Sequence, residues 1–316
     1  MGSLDLPDQT DEPDRAKSAR DVSMSQSRAA DLPDPDERRR VYEATRANFA
    51  AKTAHEESPG CPPDAGEKRG YWDEVPRFLQ MRDDIEPGMP AEQKSAVDRS
   101  ADPPGSYHSD GGYYMDPELH NLAIEAVSRV REAEPTISAD IRVTEDENRY
   151  GGWLEGYEHR RKGEDRLKEK IAEGLATISP DASPEEIVVQ VPDAIRYTFC
   201  FQPGTYTRGY YDVKGRMESH GYEMYESRNS WGDAEYKGIN TRWVTSDGQR
   251  FEVQFHTSES FHAKEHITHA AYERIRSRLT SDVERSELEE FQREVSSWIQ
   301  VPDSATSIPD FKKEGF

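Results

Sequence analysis

Glu252-Val253-Gln254-Phe255-His256-Thr257 sets a carboxylate, an amide and an imidazole at alternate positions of a stretch that reads as a β-strand, with Phe251, Val253 and Phe255 between them. Strand side chains alternate between two faces, so the three polar groups share one side and the apolar residues the other. Such a set can accept a proton, orient a hydroxyl or contribute to a cation site. Alternation is equally the pattern of an ordinary half-solvated antiparallel strand, so chemistry requires further residues. Asp193, at the mouth of the apolar stretch Ala194-Ile195-Arg196-Tyr197-Thr198-Phe199-Cys200-Phe201, supplies a second carboxylate. Two acids on strands of one sheet, facing the same side, can hold a magnesium ion whose remaining ligands are waters and substrate phosphates.

A phosphate-bearing ligand also needs cations. Between Glu158 and Leu175 lie Arg160, Arg161, Lys162, Arg166, Lys168 and Lys170. Arg166 and Lys170 are four apart on a helix and share a face, with Arg160 and Lys162 just upstream. Their convergence would neutralise a triphosphate and, through arginine, give it forked hydrogen bonds. The competing reading is a solvated charged face tied by pairs such as Glu164 with Lys168.

The elements that must position these groups follow from pattern. Tyr236-Lys237-Gly238-Ile239-Asn240-Thr241 and the Glu252 strand flank Ser246-Asp247-Gly248-Gln249, which predicts a β-hairpin. Helices are expected over 116–134 and through about 145, over 158–175, 205–219, 258–279 and 281–300, with strands at 194–201, 221–229, 237–245 and 250–256. Asp116-Pro117-Glu118 starts the first helix, whose buried stripe is Leu119, Leu122, Ala123, Ala126 and Val130. Thr280 or Ser281 caps the last, with Val283, Leu288, Phe291, Val295 and Trp298 facing the sheet. The fold class predicted is α+β, a mixed sheet with helices mainly on its apolar face.

The 316 residues carry 63 acids against 41 basic residues, a net charge of −22, and a mean hydropathy of −1.00. That composition is poor for one large core and fits one domain plus a loose region. Twelve of the 20 prolines precede residue 105. The division expected is 1–110 as a largely disordered or loosely helical region, 111–302 as the folded domain, and 303–316 as a tail. Within the first part, 1–35 reads as disordered and Asp36 caps a helix over Glu37–Ala51. The net charge argues against broad nucleic-acid binding. Neither a signal-peptide pattern nor an apolar run of about 18 residues occurs. The two cysteines, Cys61 and Cys200, form no zinc or disulfide framework. A cytoplasmic setting is expected, or delivery to a target cell without a signal peptide.

Arg160-x-Lys162 followed by Lys170, an Asp-then-Arg strand, Tyr236 ahead of Gly238-Ile239-Asn240, and Glu252-x-Gln254-x-His256-Thr257 occur in one order. In that order they resemble the synthetase domain of RelA/SpoT-type alarmone synthetases, in its small, single-domain, toxin-like branch, over about residues 115–300. The resemblance implies a nucleotidyltransferase-like fold and a pyrophosphokinase, which transfers pyrophosphate from ATP to the 3′-hydroxyl of a purine nucleotide and releases AMP. It implies that Arg160, Lys162, Arg166 and Lys170 hold ATP, that Asp193 and Glu252 hold Mg2+, and that Glu252 also accepts the hydroxyl proton. Tyr236, Asn240, Gln254 and His256 would line the acceptor, with Tyr236 stacked on its base. An antitoxin or immunity protein is the implied protein partner. The chain departs from the family pattern at Arg166, usually Ser, at His256, usually Arg, at Asn240, often His, and in the short Asp193-to-Arg196 spacing. No His-Asp hydrolase signature accompanies the motifs.

Three other functions compete. One is pyrophosphorylation of the 3′ end of tRNA, which the net charge disfavours. His262-Ala263-Lys264-Glu265-His266 spells H-x-x-E-H, a zinc-hydrolase pattern that His269 could complete. A noncatalytic nucleotide-binding module is the third, opposed by the retained carboxylates and cations.

Overall fold

A computed structural model describes residues 70–85, 102–109, 112–177, 182–189, 191–276 and 280–315. The expected disorder of 1–35 and the helix over 37–51 lie outside them. Helix α1 (Tyr71–Ile85) comes first, then a short hairpin of β1 (Tyr107–His108) and β2 (Tyr114–Met115). The long helix α2 (Pro117–Glu147) leads to β3 (Trp153–Leu154), α3 (Glu164–Thr177), α4 (Pro184–Val189) and β4 (Arg196–Cys200). Helix α5 (Tyr206–Ser219) precedes β5 (Glu223–Asn229), β6 (Ile239–Val244) and β7 (Arg250–His256). Beyond β7 lie α6 (Ser258–His262), a π-helical turn (Ala263–Ile267), α7 (His269–Arg276), α8 (Asp282–Ser297) and β8 (Phe311–Lys312).

The main sheet has six strands in the order β3-β4-β7-β6-β5-β8. Every neighbouring pair is antiparallel except β4 with β7, which run parallel. The α+β class expected from the sequence is therefore the observed one. The β6–β7 hairpin closes through Gly248, whose φ of 93° suits the turn. The parallel pair brings Arg196 opposite Glu252 and Thr198 opposite Gln254.

One face of the sheet is the core. Tyr197, Phe199, Trp243, Phe251, Val253 and Phe255 are buried there, and α2 and α5 cover them. Asp116 caps α2 by accepting from Leu119 N, and Pro117 fills the first turn. The break expected near residue 134 does not occur, since α2 runs unbroken through Pro135. An interior proline costs about 3 kcal/mol. The continuous buried stripe of Ala126, Val127, Val130, Ile137 and Ile141 outweighs it, at about 1.5–3 kcal/mol for each large aliphatic side chain. Leu122, expected in that stripe, is exposed, and so is Val283 of α8, because both fall on the outer side of their helices.

Helix α1 lies in the segment read as loose, yet Tyr71, Val75 and Phe78 are fully buried in the common core. At the other end β8 pairs with β5, and Ala305 and Ile308 are buried, so the expected tail supplies an edge strand. Among the described residues no helix is long and apolar enough to cross a membrane.

Candidate functional site

The second face of the sheet carries the polar groups in register. Arg196, Glu252, Arg242 and Glu226 stand side by side across β4, β7, β6 and β5. Thr198, Gln254, Asn240 and Arg228 form the next row. This face is not the open surface that alternation suggests, because α6 and the π-helical turn fold back over its β7 end. Glu252 is 7% exposed, Gln254 4% and His256 0%.

Asp193 stands in a single helical turn before β4 and accepts a hydrogen bond from Lys162 Nζ at 2.7 Å. Lys162 reaches it because residues 160–162 run antiparallel to 194–196, with Lys162 N donating to Ala194 O at 3.0 Å and an Arg161–Ile195 bridge. Burial alone would push the Asp193 carboxyl up, but the charge and hydrogen bond of Lys162, with Arg196 and Lys170 beyond, hold it below the ordinary range. Glu252 goes the other way. Burial raises it and the nearby Asp193 charge adds to that, against Arg196, the Gln254 hydrogen bond and Lys264. The two acids thus feel each other within one field of cations, and Arg196 makes no side-chain hydrogen bond among the described residues.

These residues fit a hard divalent cation. Glu252 Oε1 accepts from Gln254 Nε2 at 2.6 Å and Asp193 Oδ2 accepts from Lys162. Each carboxylate keeps a second oxygen, and their mutual repulsion is what a cation between them would relieve. No group of three or more His, Cys, Asp or Glu able to hold a metal occurs among the described residues. A cation held by these two acids would take the remainder of its shell from water or a ligand, as is usual for magnesium.

Arg160 does not join this set. The helix expected from 158 starts at Glu164, and Arg160 ends a single tight turn over Tyr157–His159 with helical backbone angles. Its guanidinium is thereby sent to the core side, where Nε donates to Glu134 at 2.6 Å and Ser138 at 3.1 Å and the group lies over the Tyr157 ring. Arg166 pairs with Glu169 at 2.6 Å and approaches Glu273 of α7 at 3.9 Å; Lys170 pairs with Glu173 at 2.8 Å. The Glu164–Lys168 pair of the competing reading also forms, at 3.6 Å.

At the far end of the polar face, Tyr236, Asn240 and His256 form a chain. The Tyr236 hydroxyl donates to Asn240 Oδ1 at 3.0 Å and lies 3.0 Å from His256 Nε2; His256 Nδ1 lies 2.9 Å from Ser260 Oγ. One proton arrangement satisfies every group. Ser260 donates to Nδ1, and Nε2–H donates to the tyrosine oxygen. It requires a neutral imidazole, and burial, with the Lys264 and Arg196 charges, holds the His256 pKa well below its usual value. A Cβ at Gly238 would meet His256 Cε1 at 2.7 Å, which is why glycine stands there. Asn240 and His256 thus grip the Tyr236 phenol.

The zinc-hydrolase reading finds no support among the described residues. His262 Nδ1 is bonded to the Tyr71 hydroxyl at 2.9 Å, and burial beside His266 takes its pKa down to about 4. Glu265 is held by Lys264. The His262 and His266 rings lie 5.0 Å apart, yet no group of three or more His, Cys, Asp or Glu able to hold a metal forms there among the described residues. Sequence reading also missed two groups of the site. Arg196 announces itself as a charge opening an otherwise apolar strand; Lys264 gives no local signal, since only the π turn points it at Gln254.

No family model matches the chain, and no curated protein matches it. Among solved structures it is similar to the Type VI effector Tas1 in complex with its immunity protein, at 16% identity over 56% of this chain and 96% of that one, TM-score 0.40. It is similar also to small alarmone synthetase 1 from Bacillus subtilis bound to its product pppGpp, at 12% identity over 58% and 93%, TM-score 0.37. A further crystal structure of that synthetase gives 14% identity over 58% and 92%, TM-score 0.35.

Proposed function

We propose that this chain is an ATP-dependent pyrophosphokinase of the RelA/SpoT type, acting on the 3′-hydroxyl of a free purine nucleotide. The observation that carries the reading is the pair Glu252 and Asp193, each with one oxygen hydrogen-bonded, beside the Arg196 guanidinium, which makes no side-chain hydrogen bond among the described residues. Phosphoryl-type transfer asks mainly for alignment and charge neutralisation, and this group offers both.

In the reaction the acceptor 3′-oxygen bonds to the β-phosphorus of ATP, the bond from that phosphorus to the α,β-bridging oxygen breaks, and AMP leaves with the bridging oxygen. Glu252 accepts the hydroxyl proton; the raised pKa that burial gives it makes it a better base than an exposed carboxylate. Lys162, Lys170 and Arg196 meet the phosphates, with Arg166 at the rim. For Lys162 and Lys170 this means exchanging Asp193 and Glu173 for the ligand. Tyr236 stacks on the acceptor base. Magnesium, when bound, supplies neutralisation of phosphate charge, and the free oxygens of Asp193 and Glu252 would hold it.

Free nucleotides are favoured over tRNA because the net charge of −22 repels a long polyanion. ATP as donor and the free Cys200 thiol suit the cytoplasm. An immunity or antitoxin protein that blocks the enzyme is the protein partner this reading calls for.

The test is a mass spectrum of nucleotides after the purified chain meets ATP, magnesium and adenine or guanine nucleotides, with bulk tRNA in parallel. AMP with a nucleotide two phosphates heavier than the acceptor is expected. Label carried from ATP into tRNA would replace the free-nucleotide acceptor, and no AMP with any acceptor would end the reading.

A further inference from the structure

Lys264 has no role in the chemistry as written, yet its geometry ties it to the Glu252 carboxylate. Its ammonium is largely buried and donates to Gln254 Oε1 at 2.9 Å and to Glu265 Oε1 at 2.5 Å. Gln254 Nε2 in turn donates to Glu252 Oε1 at 2.6 Å. A side-chain amide has its acceptor at one end and its donors at the other, so whatever fixes one end fixes both. With Lys264 at the oxygen end, the flipped amide would set NH2 against an ammonium and a carbonyl oxygen against a carboxylate. Both contacts would be repulsive. The observed orientation alone satisfies the three groups.

The backbone is built to bring Lys264 there. In the π-helical turn Thr268 N donates to Ala263 O at 2.8 Å, five residues back. Such turns insert one extra residue and redirect the side chains they carry. Helix α1 holds the turn at both sides, through Tyr71 to His262 Nδ1 at 2.9 Å and through Arg82 Nη1 to His266 O at 3.0 Å. The turn is thus braced from behind while Lys264 projects forward.

We infer that Lys264 is a positioning residue: acting through the Gln254 amide, it fixes the Glu252 carboxylate in one orientation and keeps the second carboxylate oxygen available. The consequence for rate rests on the pyrophosphokinase reading; the geometric coupling does not. Lys264 differs in this from Lys162 and Lys170, which are assigned to phosphate and whose loss acts on ATP affinity.

The experiment is a double-mutant cycle in the full chain. Lys264→Met and Gln254→Leu should each lower kcat about tenfold or more, with the ATP KM changed less than about twofold. The double variant should be no slower than the slower single one, since both act through one amide, and Lys264→Arg should recover most of the rate. Losses that multiply, or a Lys264→Met effect confined to the ATP KM, would overturn the inference while leaving the enzyme reading intact. If the wild-type chain transfers nothing, that reading fails by itself. The coupling is then read from the Gln254 side-chain NH2 resonances, assigned by difference against Gln254→Leu, with folding checked by circular dichroism. Slow solvent exchange in the wild type, about tenfold faster in Lys264→Met, is expected; equal exchange in the two would sink the inference.

Discussion

Strand β4 separates two charge clusters that differ in one respect. On the core side Glu134 receives hydrogen bonds from Arg160 and Ser138, Ser138 meets the Tyr197 hydroxyl at 2.8 Å, and Arg160 is capped by the Tyr157 ring. Burial would raise the Glu134 carboxyl, yet the Ser138 and Arg160 bonds bring it below its ordinary range. On the polar side Asp193, Glu252 and Arg196 share a field, and among the described residues two of their carboxylate oxygens and the guanidinium make no hydrogen bond. A saturated network specifies a fold and offers a ligand nothing; one whose remaining oxygens face solvent can exchange water for a ligand. Internal hydrogen bonding, more than charge, separates the two clusters.

Removing a member of each cluster sharpens that contrast. Glu252→Gln should lower pyrophosphate transfer by about 10²–10⁴-fold while ATP binding by calorimetry and the thermal midpoint stay near wild type. An active variant would place the chemistry elsewhere. Arg160→Met should instead cost about 3–5 kcal/mol of stability in denaturant unfolding, since it strands the buried Glu134. A normal midpoint with a raised ATP KM would move Arg160 back into the triphosphate cradle. Next in size, Tyr236→Ala should raise the acceptor KM more than the ATP KM, by an amount worth about 1–3 kcal/mol of stacking. Equal changes in both constants would contradict its place against the acceptor base.

The smallest expected effect is on pH dependence. His256 is neutral in the fold with a depressed pKa, whereas unfolded it takes a proton near 6.5. Its contribution is present in full above 6.5 and is lost progressively as pH falls from there toward the lower folded value, because only the unfolded chain binds the proton. Unfolding midpoints between pH 8 and 5 should fall less steeply in His256→Gln than in wild type. Parallel slopes would mean the imidazole takes up its proton as readily in the fold as in the unfolded chain, and the Ser260-to-Asn240 proton arrangement would not hold.

Much of the polar face was legible in the sequence because its signals are local. Alternation in β7, the Gly248 turn and the apolar run of β4 set which residues share a side. Long-range register was not legible: the parallel pairing that puts Arg196 against Glu252 depends on a crossover of about fifty residues, of which a local pattern keeps no trace. Arg160 and Lys162 look equivalent two apart, but a single tight turn at Tyr157–His159 separates them. Helix α1 escaped notice because its burial depends on α6 and α8, far along the chain. Gln254 and His256 were read as one working surface, whereas the fold gives the first to the carboxylate and the second to a tyrosine.

Strand β8 has a consequence for how the molecule keeps to itself. Two residues, Phe311 and Lys312, occupy the outer hydrogen-bonding side of β5, and Asp310, Ala305 and Ile308 fasten them through the Asn229 amide groups. An uncovered strand there would be a template for a neighbouring chain. That short strip is therefore a guard against self-templating: its loss would appear first as oligomers and precipitate, with the polar face still intact.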